Sequence, residues 1–254
     1  MLSKNRIKYI HSLEQKKYRK AEGVFLAEGP KLVEELLGRL ECRLLAATHQ
    51  WLKGQTIVQA TEVVEVTEEE LARASLLKTP QQVLGIFVQP QEQTDASVIR
   101  NSLCLALDDV QDPGNLGTII RVADWFGIEH IFCSPGTADA FGPKTVQASM
   151  GALARVHLHY TSLPALISGL NEEIPVYGTF LNGDNLYAEK LETERGLIIM
   201  GNEGNGVSHE VEQLVNRRLL IPNYPAGRTT SESLNVAVAT AIVCAEFRRQ
   251  AASK

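Results

Sequence analysis

Short apolar runs alternate with stretches of helical spacing in the first third of the chain. The helix pattern of PKLVEELLG begins on a proline and ends on a glycine, as short helices commonly do. Thr67 and Glu70 have the spacing of a capping box at a helix start. The pattern predicts helices over 3–20, over 30–38 and from Thr67 onward, and strands over 24–29, 42–48, 56–66 and 83–88. This part of the chain is therefore predicted to be a compact α/β unit.

A polar stretch without periodicity, QPQEQTDASVIRNS (89–102), separates this unit from a second series of elements. Short apolar strands alternate with helical patterns in that series, which is typical of a mostly parallel sheet covered on both faces. Ligands of such sheets bind at the carboxyl ends of the strands. The strands are predicted at 103–110, 130–134, 175–181, 196–201 and 218–222. We therefore expect two domains, residues 1–92 and residues 100–254.

The stretch DDVQDPGNLGTIIRVADWFG (108–127) combines a turn with an apolar helix that contains an arginine. The tetrapeptide DPGN has turn chemistry, and its last residue, Asn115, is the predicted N-cap. Arg121 and Trp125 lie opposite the core face of this helix, at about 100° per residue. Two interpretations stay open: a surface arginine lying along an indole, or a group facing an anion or a second subunit. The predicted core face consists of Leu116, Ile119, Ile120, Ala123 and Gly127.

Two further loops follow predicted strands. GNEGNG (201–206) has the spacing GxxGxG, which matches neither the dinucleotide turn GxGxxG nor a Walker loop. Glu203 in this loop repels phosphate but can accept hydrogen bonds from a ribose or an arginine. The other loop leads into a helix predicted to begin near Ser233 and to stay apolar over 236–245 apart from Thr240. Such a helix is buried on all sides, and a dimer interface or a deep core explains it equally well.

Composition and charge narrow the classes of protein. Hydrophobic residues make up 44% of the chain and charged residues 22%, as in a globular protein with real cores. No apolar run predicts a transmembrane helix, and the charged N-terminal segment lacks a signal-peptide centre, so we expect a cytoplasmic protein. The four cysteines are far apart and the six histidines are scattered. We interpret the cysteines as small buried side chains and the histidines as structural or surface residues, and we expect no metal site.

The net charge of −5 is unevenly distributed. The first 23 residues contain seven basic and two acidic side chains, a local balance of 7 − 2 = +5. A basic surface of this kind can contact phosphates, although a solvated helix with no partner explains the charges as well. The basic residues are Lys4, Arg6, Lys8, Lys16, Lys17, Arg19 and Lys20.

Three stretches, in this order, resemble the motifs of the SpoU (TrmH-like) RNA ribose 2′-O-methyltransferases of the SPOUT class. They are NLGTIIRVADWFG, IIMGNEGNGVS, and IP followed by SLNVAVATAIVCAE. The segment SMGALARVHLH (149–159) resembles the family's sequence between the first two motifs. FLAEGPKLVEELL is similar to the RNA-binding domain that many members have at their N-terminus.

The resemblance implies a C-terminal mostly parallel sheet with a deep trefoil knot, preceded by a smaller α/β substrate-binding domain. It also implies S-adenosylmethionine as cofactor, homodimers with the active site at the subunit interface, and an RNA substrate. The added N-terminal domain favours ribosomal RNA over transfer RNA. Carried over residue by residue, the functional positions are Asn115, Arg121, Glu203, Ser233 and Asn235. The cofactor positions fall near Thr179, Leu181, Gly201, Ile221 and Leu234.

One departure concerns the third motif, where ten residues (NYPAGRTTSE) separate Pro222 from Ser233. This loop is longer than expected for the family, so we expect a reshaped pocket rim and assign no role to Arg228 or Ser231.

The implied reaction is in-line attack of a ribose 2′-oxygen on a sulfonium methyl group. Arg121 is either deprotonated by an unusual site and acts as the base, or stays charged and holds a phosphate. A guanidinium is a poor base, so we favour the charged form. Asn115 then orients Arg121 or the target nucleotide, Glu203 joins the arginine network, and Ser233 and Asn235 line the site.

Two alternatives belong to other classes of protein. One is a non-catalytic RNA-binding or ribosome-assembly factor with the same fold, against which the intact motif residues argue. The other is a Rossmann-type metabolic enzyme, which the lack of a GxGxxG turn disfavours.

Overall fold

The computed structural model describes residues 2–91, 94–225, 228 and 233–253. The helices are α1 (Lys4–Ser12), α2 (Lys16–Glu22), α3 (Pro30–Leu36), α4 (His49–Lys53), α5 (Glu68–Ala74), α6 (Pro113–Trp125), α7 (Pro143–Ser149), α8 (Leu163–Ser168), α9 (His209–Glu212) and α10 (Val236–Ala251). The strands are β1 (Val24–Glu28), β2 (Cys42–Thr48), β3 (Glu62–Val66), β4 (Val83–Val88), β5 (Leu103–Leu107), β6 (His130–Cys133), β7 (His157–Tyr160), β8 (Val176–Asn185), β9 (Gly196–Met200) and β10 (Arg217–Leu220).

The chain divides into two compact units. One consists of residues 1–91 with residues 139–154, and the other of residues 92–138 with residues 155–254. Residues 139–154 thus group with the first unit, although in sequence they lie inside the second predicted domain. The division into two domains, residues 1–92 and residues 100–254, stays a prediction.

The first unit is built on a four-stranded sheet in the order β1-β4-β2-β3. β4 runs antiparallel to β1 and β2, whereas β2 and β3 are parallel. The predicted capping box is confirmed, since Thr67 and Glu70 exchange hydrogen bonds at the start of α5. α1 and α5 pack on one face of this sheet over a core that includes Ile10, Leu13, Leu26, Ala46 and Leu84.

Most of the range 3–20 is helical as predicted, but it is not one helix, because α1 and α2 are separate. Arg19 explains the break: its Nη1 donates to the carbonyls of Leu13 (2.7 Å) and Glu14 (2.7 Å), which a continuous helix would use for its own hydrogen bonds. The same guanidinium pairs with Asp139 at 2.6 Å. Arg19 is only 4% exposed, so it is a structural residue and not one of the basic side chains available to a phosphate.

The second unit has a six-stranded sheet in the order β10-β8-β9-β5-β6-β7, and every pair in it is parallel. The predicted parallel sheet is therefore confirmed. β7 was not predicted, because its sequence HLHY is short and contains two histidines. The stretch predicted as a linker includes a 3-10 helix, Ala96–Arg100, whose Ile99 is fully buried. Strand β3 is shorter than the predicted range 56–66, since it begins only at Glu62.

β8 and β10 pair in two separate registers. Arg218 lies opposite Gly178, but the next residue, Leu219, lies opposite Asp184. Residues 179–183 are therefore left out of the ladder between these pairs; we call them the β8 excursion. Among the helices of the described residues, none is long and apolar enough to cross a membrane.

Candidate active site

The candidate site lies in the second unit, where the loops after the central strands β5 and β9 meet the beginning of α10. The first of these loops leads into α6. Its N-cap is Asp112, whose Oδ1 accepts the backbone N–H of Asn115 at 2.9 Å. The prediction of Asn115 as N-cap is wrong: it lies within the first turn of α6. Because the cap is supplied by Asp112, the side chain of Asn115 is available for other contacts.

Asn115 joins two residues that are far from it in sequence. Its Nδ2 donates to Oε1 of Glu203 at 2.9 Å. Its Oδ1 accepts from Nδ2 of Asn235, also at 2.9 Å. The side chains of Glu203, Asn115 and Asn235 thus form a continuous hydrogen-bonded chain, which we call the amide relay. It connects the loop after β9, the start of α6 and the start of α10.

The amide orientations in the relay follow from its two ends. A carboxylate only accepts hydrogen bonds, so Asn115 must turn its NH₂ group toward Glu203. At the other end, Oδ1 of Asn235 accepts the N–H groups of Ala237 (3.0 Å) and Val238 (3.3 Å) and thereby caps α10. Asn235 consequently has its NH₂ group free to face Asn115. The predicted helix start near Ser233 is corrected by this cap, since α10 begins at Val236.

Glu203 accepts two further hydrogen bonds, from the backbone N–H groups of Gln111 and Asp112, each at 3.2 Å. Partial burial raises the pKa of this carboxyl group, but the hydrogen bonds from Asn115 and from the backbone outweigh burial and lower it below its ordinary value. Glu203 is therefore ionised at neutral pH and acts as a fixed acceptor. Its observed partners are Asn115 and the main chain rather than Arg121.

The turn that presents Glu203 is closed by its own backbone. Asn202 and Gly206 exchange N–H···O hydrogen bonds of 2.8 and 3.0 Å. At Gly201 a Cβ atom would lie 2.2 Å from the carbonyl carbon of Gly206, so no other residue fits there. Gly206 itself has a φ of +70°, which favours glycine.

Sequence reasoning missed the contribution of Asn202 and Asp109. Oδ1 of Asn202 accepts from the N–H groups of Gly204 (2.9 Å) and Asn205 (3.0 Å), while its Nδ2 donates to the carbonyl of Asp109 at 2.7 Å. Asp109 adopts a φ of +56°, an uncommon conformation for a residue with a side chain. The loop after β5 is thus attached to the turn after β9, and only the abundance of Asn and Asp in both loops signals it in the sequence.

Arg121 and Trp125 project from the outer side of α6, as predicted. Both are exposed, and the indole is 84% accessible. Within the described ranges, Arg121 forms no hydrogen bond or ion pair, and no cation–π contact joins it to Trp125. The predicted core face is confirmed for Leu116, Ile119, Ile120 and Ala123, which are fully buried. It is wrong for Gly127, which lies beyond the helix end and is exposed.

The residues predicted for the cofactor lie in four segments of the second unit. Thr179 and Leu181 belong to the β8 excursion, Gly201 follows β9, Ile221 follows β10, and Leu234 precedes α10. Leu181 and Leu234 are 77% and 50% exposed, so apolar surface is available at these positions. The segments of Gly201 and Ile221 follow the carboxyl ends of parallel strands, and that of Leu234 precedes a helix start, where open α/β sheets bind ligands. The β8 excursion lies within β8, after its pairing with β9 ends at Gly178.

Within the single chain α10 is buried on one face only, so a deep core does not explain its apolar sequence, while a dimer interface stays a prediction. One face, which includes Thr240, Val243, Cys244 and Phe247, is buried. The other face carries small or apolar side chains that are partly or fully exposed, at the helical spacing i, i+3, i+4, i+7. They are Val238, Ala241, Ile242 and Ala245.

Among the described residues, no group of three or more His, Cys, Asp or Glu side chains is arranged so that it could hold a metal ion. All four cysteines are buried and free. Burial raises the pKa of the Cys104 thiol to about 11 and that of the Cys42 thiol to about 12.

Comparison with solved structures places this architecture among RNA methyltransferases. A putative RNA methyltransferase of the TrmH family from Porphyromonas gingivalis superimposes with a TM-score of 0.89, at 45% identity, over 98% of this chain and 99% of that one. An AdoMet-bound rRNA methyltransferase from Sinorhizobium meliloti gives a TM-score of 0.82 at 31% identity, with 98% and 96% of the two chains covered.

The sequence itself matches the model of the SpoU rRNA Methylase family over residues 102–245, and the chain belongs to that family. Residues 4–85 match the MRM3-like substrate binding domain. The 23S rRNA (guanosine(2553)-2′-O)-methyltransferase of Bacillus subtilis is 32% identical, with 96% of each protein covered. Human mitochondrial rRNA methyltransferase 3 is 26% identical, over 94% of this chain and 70% of that protein. The resemblance stated from the three motifs is thereby confirmed.

Proposed function

We propose that this protein transfers a methyl group from S-adenosylmethionine to a ribose 2′-hydroxyl of RNA, with ribosomal RNA favoured over transfer RNA. The observation that carries the proposal is the amide relay. It brings together Asn115, Glu203 and Asn235, one from each motif, at the carboxyl ends of a parallel sheet. The names of the relatives in Bacillus subtilis and human mitochondria support a ribosomal substrate.

The pocket for the cofactor is assigned to the segments of Thr179, Leu181, Gly201, Ile221 and Leu234. Exposed leucines in two of them offer apolar contacts for an adenine ring, and the backbone groups at strand ends offer hydrogen bonds to adenosine. When bound, S-adenosylmethionine supplies an electrophilic methyl group. The family's trefoil knot and bent cofactor are part of this proposal.

Arg121 is assigned to the centre of catalysis as a charged group. Its guanidinium is exposed and, among the described residues, is held by no carboxylate, so it is available to an incoming phosphate. A cation next to the target nucleotide favours loss of the 2′-hydroxyl proton, because it stabilises the negative charge that develops on the oxygen. Positioning of the ribose adds to this effect.

The relay residues have positioning roles in this mechanism. Glu203, as a fixed acceptor, holds the amide of Asn115, and Asn235 holds the opposite end of the same amide. One N–H of Asn115 remains for a substrate oxygen, since only one is used within the relay. Ser233 precedes Asn235 on the exposed side of the loop, where it can line the nucleotide site.

A single assay tests this function. The wild-type protein is incubated with S-[methyl-³H]adenosylmethionine and protein-free ribosomal or transfer RNA, and 2′-O-methylated nucleosides are quantified after digestion. We expect labelling of ribosomal RNA, and a loss of at least about a hundredfold in Arg121→Ala with unchanged cofactor binding. Arg195→Ala is the control, because this exposed residue precedes the amino end of β9, whereas the site lies beyond the carboxyl end. Unchanged methylation by Arg121→Ala would remove this residue from the mechanism.

The same assay distinguishes the proposed methyltransferase from the alternative function, a non-catalytic RNA-binding or ribosome-assembly factor. That alternative predicts RNA binding without transfer of label under any condition. The order of motifs and the intact relay favour the enzyme.

The first unit is assigned to RNA binding. Its five N-terminal lysines are exposed, in contrast to Arg19. Reversal of three of them, Lys16→Glu, Lys17→Glu and Lys20→Glu, should weaken RNA binding and reduce its salt dependence, while binding of S-adenosylmethionine stays the same. Equal loss of both affinities would contradict this division of labour.

A homodimer is assigned through the outer faces of α10 and α6. The apolar stripe on α10 and the exposed Trp125 are the kind of surface that a subunit interface covers. Sedimentation should show a dimer that Val238→Glu dissociates and that Asn171→Glu, an exposed control, leaves intact. A monomeric wild-type protein would refute the assignment. The cytoplasm is the location expected for this activity.

A further inference from the structure

The β8 excursion leaves the sheet and returns to it at two glycines. At Gly178, a Cβ atom would lie 2.5 Å from the ring of Phe180. At Gly183, it would lie 2.5 Å from the backbone of Leu219 on the neighbouring strand. Gly183 therefore has no room for a side chain, because the clash would be with backbone, whereas a side chain at Gly178 would require the Phe180 ring to move.

Arg218 holds the excursion between these ends. Its guanidinium carbon lies 3.8 Å from the centre of the Phe180 ring, in cation–π geometry. Nη2 of the same side chain donates to Oδ1 of Asn182 at 2.7 Å. One arginine therefore contacts the residues on both sides of Leu181, the exposed tip of the excursion.

The other side of Arg218 is fixed to the helix that follows the GNEGNG turn. Its Nη1 donates to Oε1 of Glu212, the last residue of α9, at 2.8 Å. Both partners of this ion pair are about one-third exposed, so its own contribution to stability is small. Its effect is to fix the position of the β8 excursion, because the two ends of the planar guanidinium bind different segments, one at Glu212 and the other at Asn182.

We infer that Arg218 is a positioning residue for S-adenosylmethionine. It joins the β8 excursion, which carries Thr179 and Leu181, to the end of α9, the helix that follows the turn after β9. The inference rests on the proposed function, which assigns both segments to the cofactor pocket. Arg218 has no contact with the amide relay or with Arg121, so its loss should affect cofactor affinity and leave the chemical step unchanged.

The test compares wild-type protein with Arg218→Met, Arg218→Lys, Asn182→Ala and Arg217→Met. Methionine keeps an apolar stem on the Phe180 ring but removes the cation and its hydrogen bonds. Arg217 is the matched control, since it is the neighbouring arginine on β10 with its side chain on the opposite face. Cofactor binding is measured by isothermal titration calorimetry, steady-state kinetics give KM and kcat, and hydrogen exchange reports on residues 179–183 without ligand.

For Arg218→Met we expect a Kd and a KM for S-adenosylmethionine about tenfold higher, as loss of a partly exposed cation–π contact and one hydrogen bond implies. Its kcat should stay within about twofold. Arg218→Lys should retain part of the affinity for S-adenosylmethionine, and Arg217→Met should retain all of it. Hydrogen exchange at residues 179–183 should become faster only in the variants that remove the contacts of Arg218 with Phe180 or Asn182. If Arg218→Met does not fold, Asn182→Ala tests the inference instead, and we expect its Kd for S-adenosylmethionine to be about threefold higher than that of the wild type.

Three results would overturn the inference: wild-type cofactor affinity in both Arg218→Met and Asn182→Ala, a lower kcat at unchanged KM, or equal effects of Arg217→Met and Arg218→Met. Failure of the proposed function looks different. In that case the wild-type protein itself does not bind S-adenosylmethionine, and the cofactor role of Arg218 is refuted together with the function.

Discussion

Replacing Asn115 by aspartate tests the amide relay, because the change is nearly isosteric and reverses only one interaction. Nδ2 of Asn115 donates to Glu203 at 2.9 Å, and in the variant an oxygen takes the place of this nitrogen. Two ionised carboxylates at that distance repel each other, so the pair takes up a shared proton at a higher pH than either group would alone. Asn235 can still donate to the other oxygen, so the remainder of the relay is kept.

The expected loss of stability follows from the hydrogen bond between Asn115 and Glu203, which the variant removes. A hydrogen bond to a charged group contributes about 1.5–3 kcal/mol, and both partners are partly exposed here, so we expect Asn115→Asp to lower the free energy of unfolding by about 2 kcal/mol at pH 8.

The sign of the pH dependence distinguishes this explanation from a packing defect. In the wild-type protein the pKa of Glu203 is lowered, so its contribution is present above the unfolded-state pKa and is lost as the pH falls through the folded-state pKa. In Asn115→Asp the pair has a raised pKa. Its destabilisation is therefore greatest at high pH and decreases as the pair takes up a proton on acidification.

The assay is urea denaturation at pH 8 and pH 5, with Asn171→Asp as a control. This exposed residue undergoes the same change of charge, and its side chain forms no hydrogen bond to a carboxylate among the described residues. We expect the difference between Asn115→Asp and wild type to shrink by about 1 kcal/mol or more between pH 8 and pH 5. A difference that is the same at both pH values, or no larger than that of the control, would refute the relay as described.

Other positions give further predictions. Gly201→Ala should prevent closure of the turn and cost more than about 3 kcal/mol, whereas Gly204→Ala, whose nearest neighbour would lie at 3.6 Å, should be tolerated; thermal melting of the two variants compares them directly. Arg19→Met should destabilise the protein by about 3 kcal/mol, because it leaves Asp139 without its buried partner; denaturation of the double variant with Asp139→Asn should recover part of the loss. The thiols should react with Ellman's reagent only after unfolding, since burial raises the pKa of Cys133 and of the other cysteines; rapid reaction of the folded protein would contradict this.

The sequence predicted the elements whose periodicity is strong. The core face of α6 and the parallel second sheet were both predicted correctly because apolar spacing reports directly on burial. Helix ends were predicted less well. Asp112 and Asn115 both have the chemistry of a cap, and only the structure shows that Asp112 takes the cap and leaves Asn115 to Glu203.

Long-range pairing was beyond the reach of local patterns. Nothing near Arg19 indicates that it ends α1 and meets Asp139, a residue 120 positions away. Similarly, the family resemblance indicated that Asn115, Glu203 and Asn235 matter, but the order in which their side chains bond depends on three-dimensional placement.

The amide relay has an electrostatic consequence. Its last acceptor, Oδ1 of Asn235, takes the N–H groups that carry the positive end of the 16-residue helix α10. Each amide is polarised by the one before it, so the dipole of α10 is extended through two side chains to Glu203. α10 thus helps to keep the Glu203 carboxylate ionised although it does not contact it. A change in the cap of α10 would therefore change how strongly the ionised form of Glu203 is favoured.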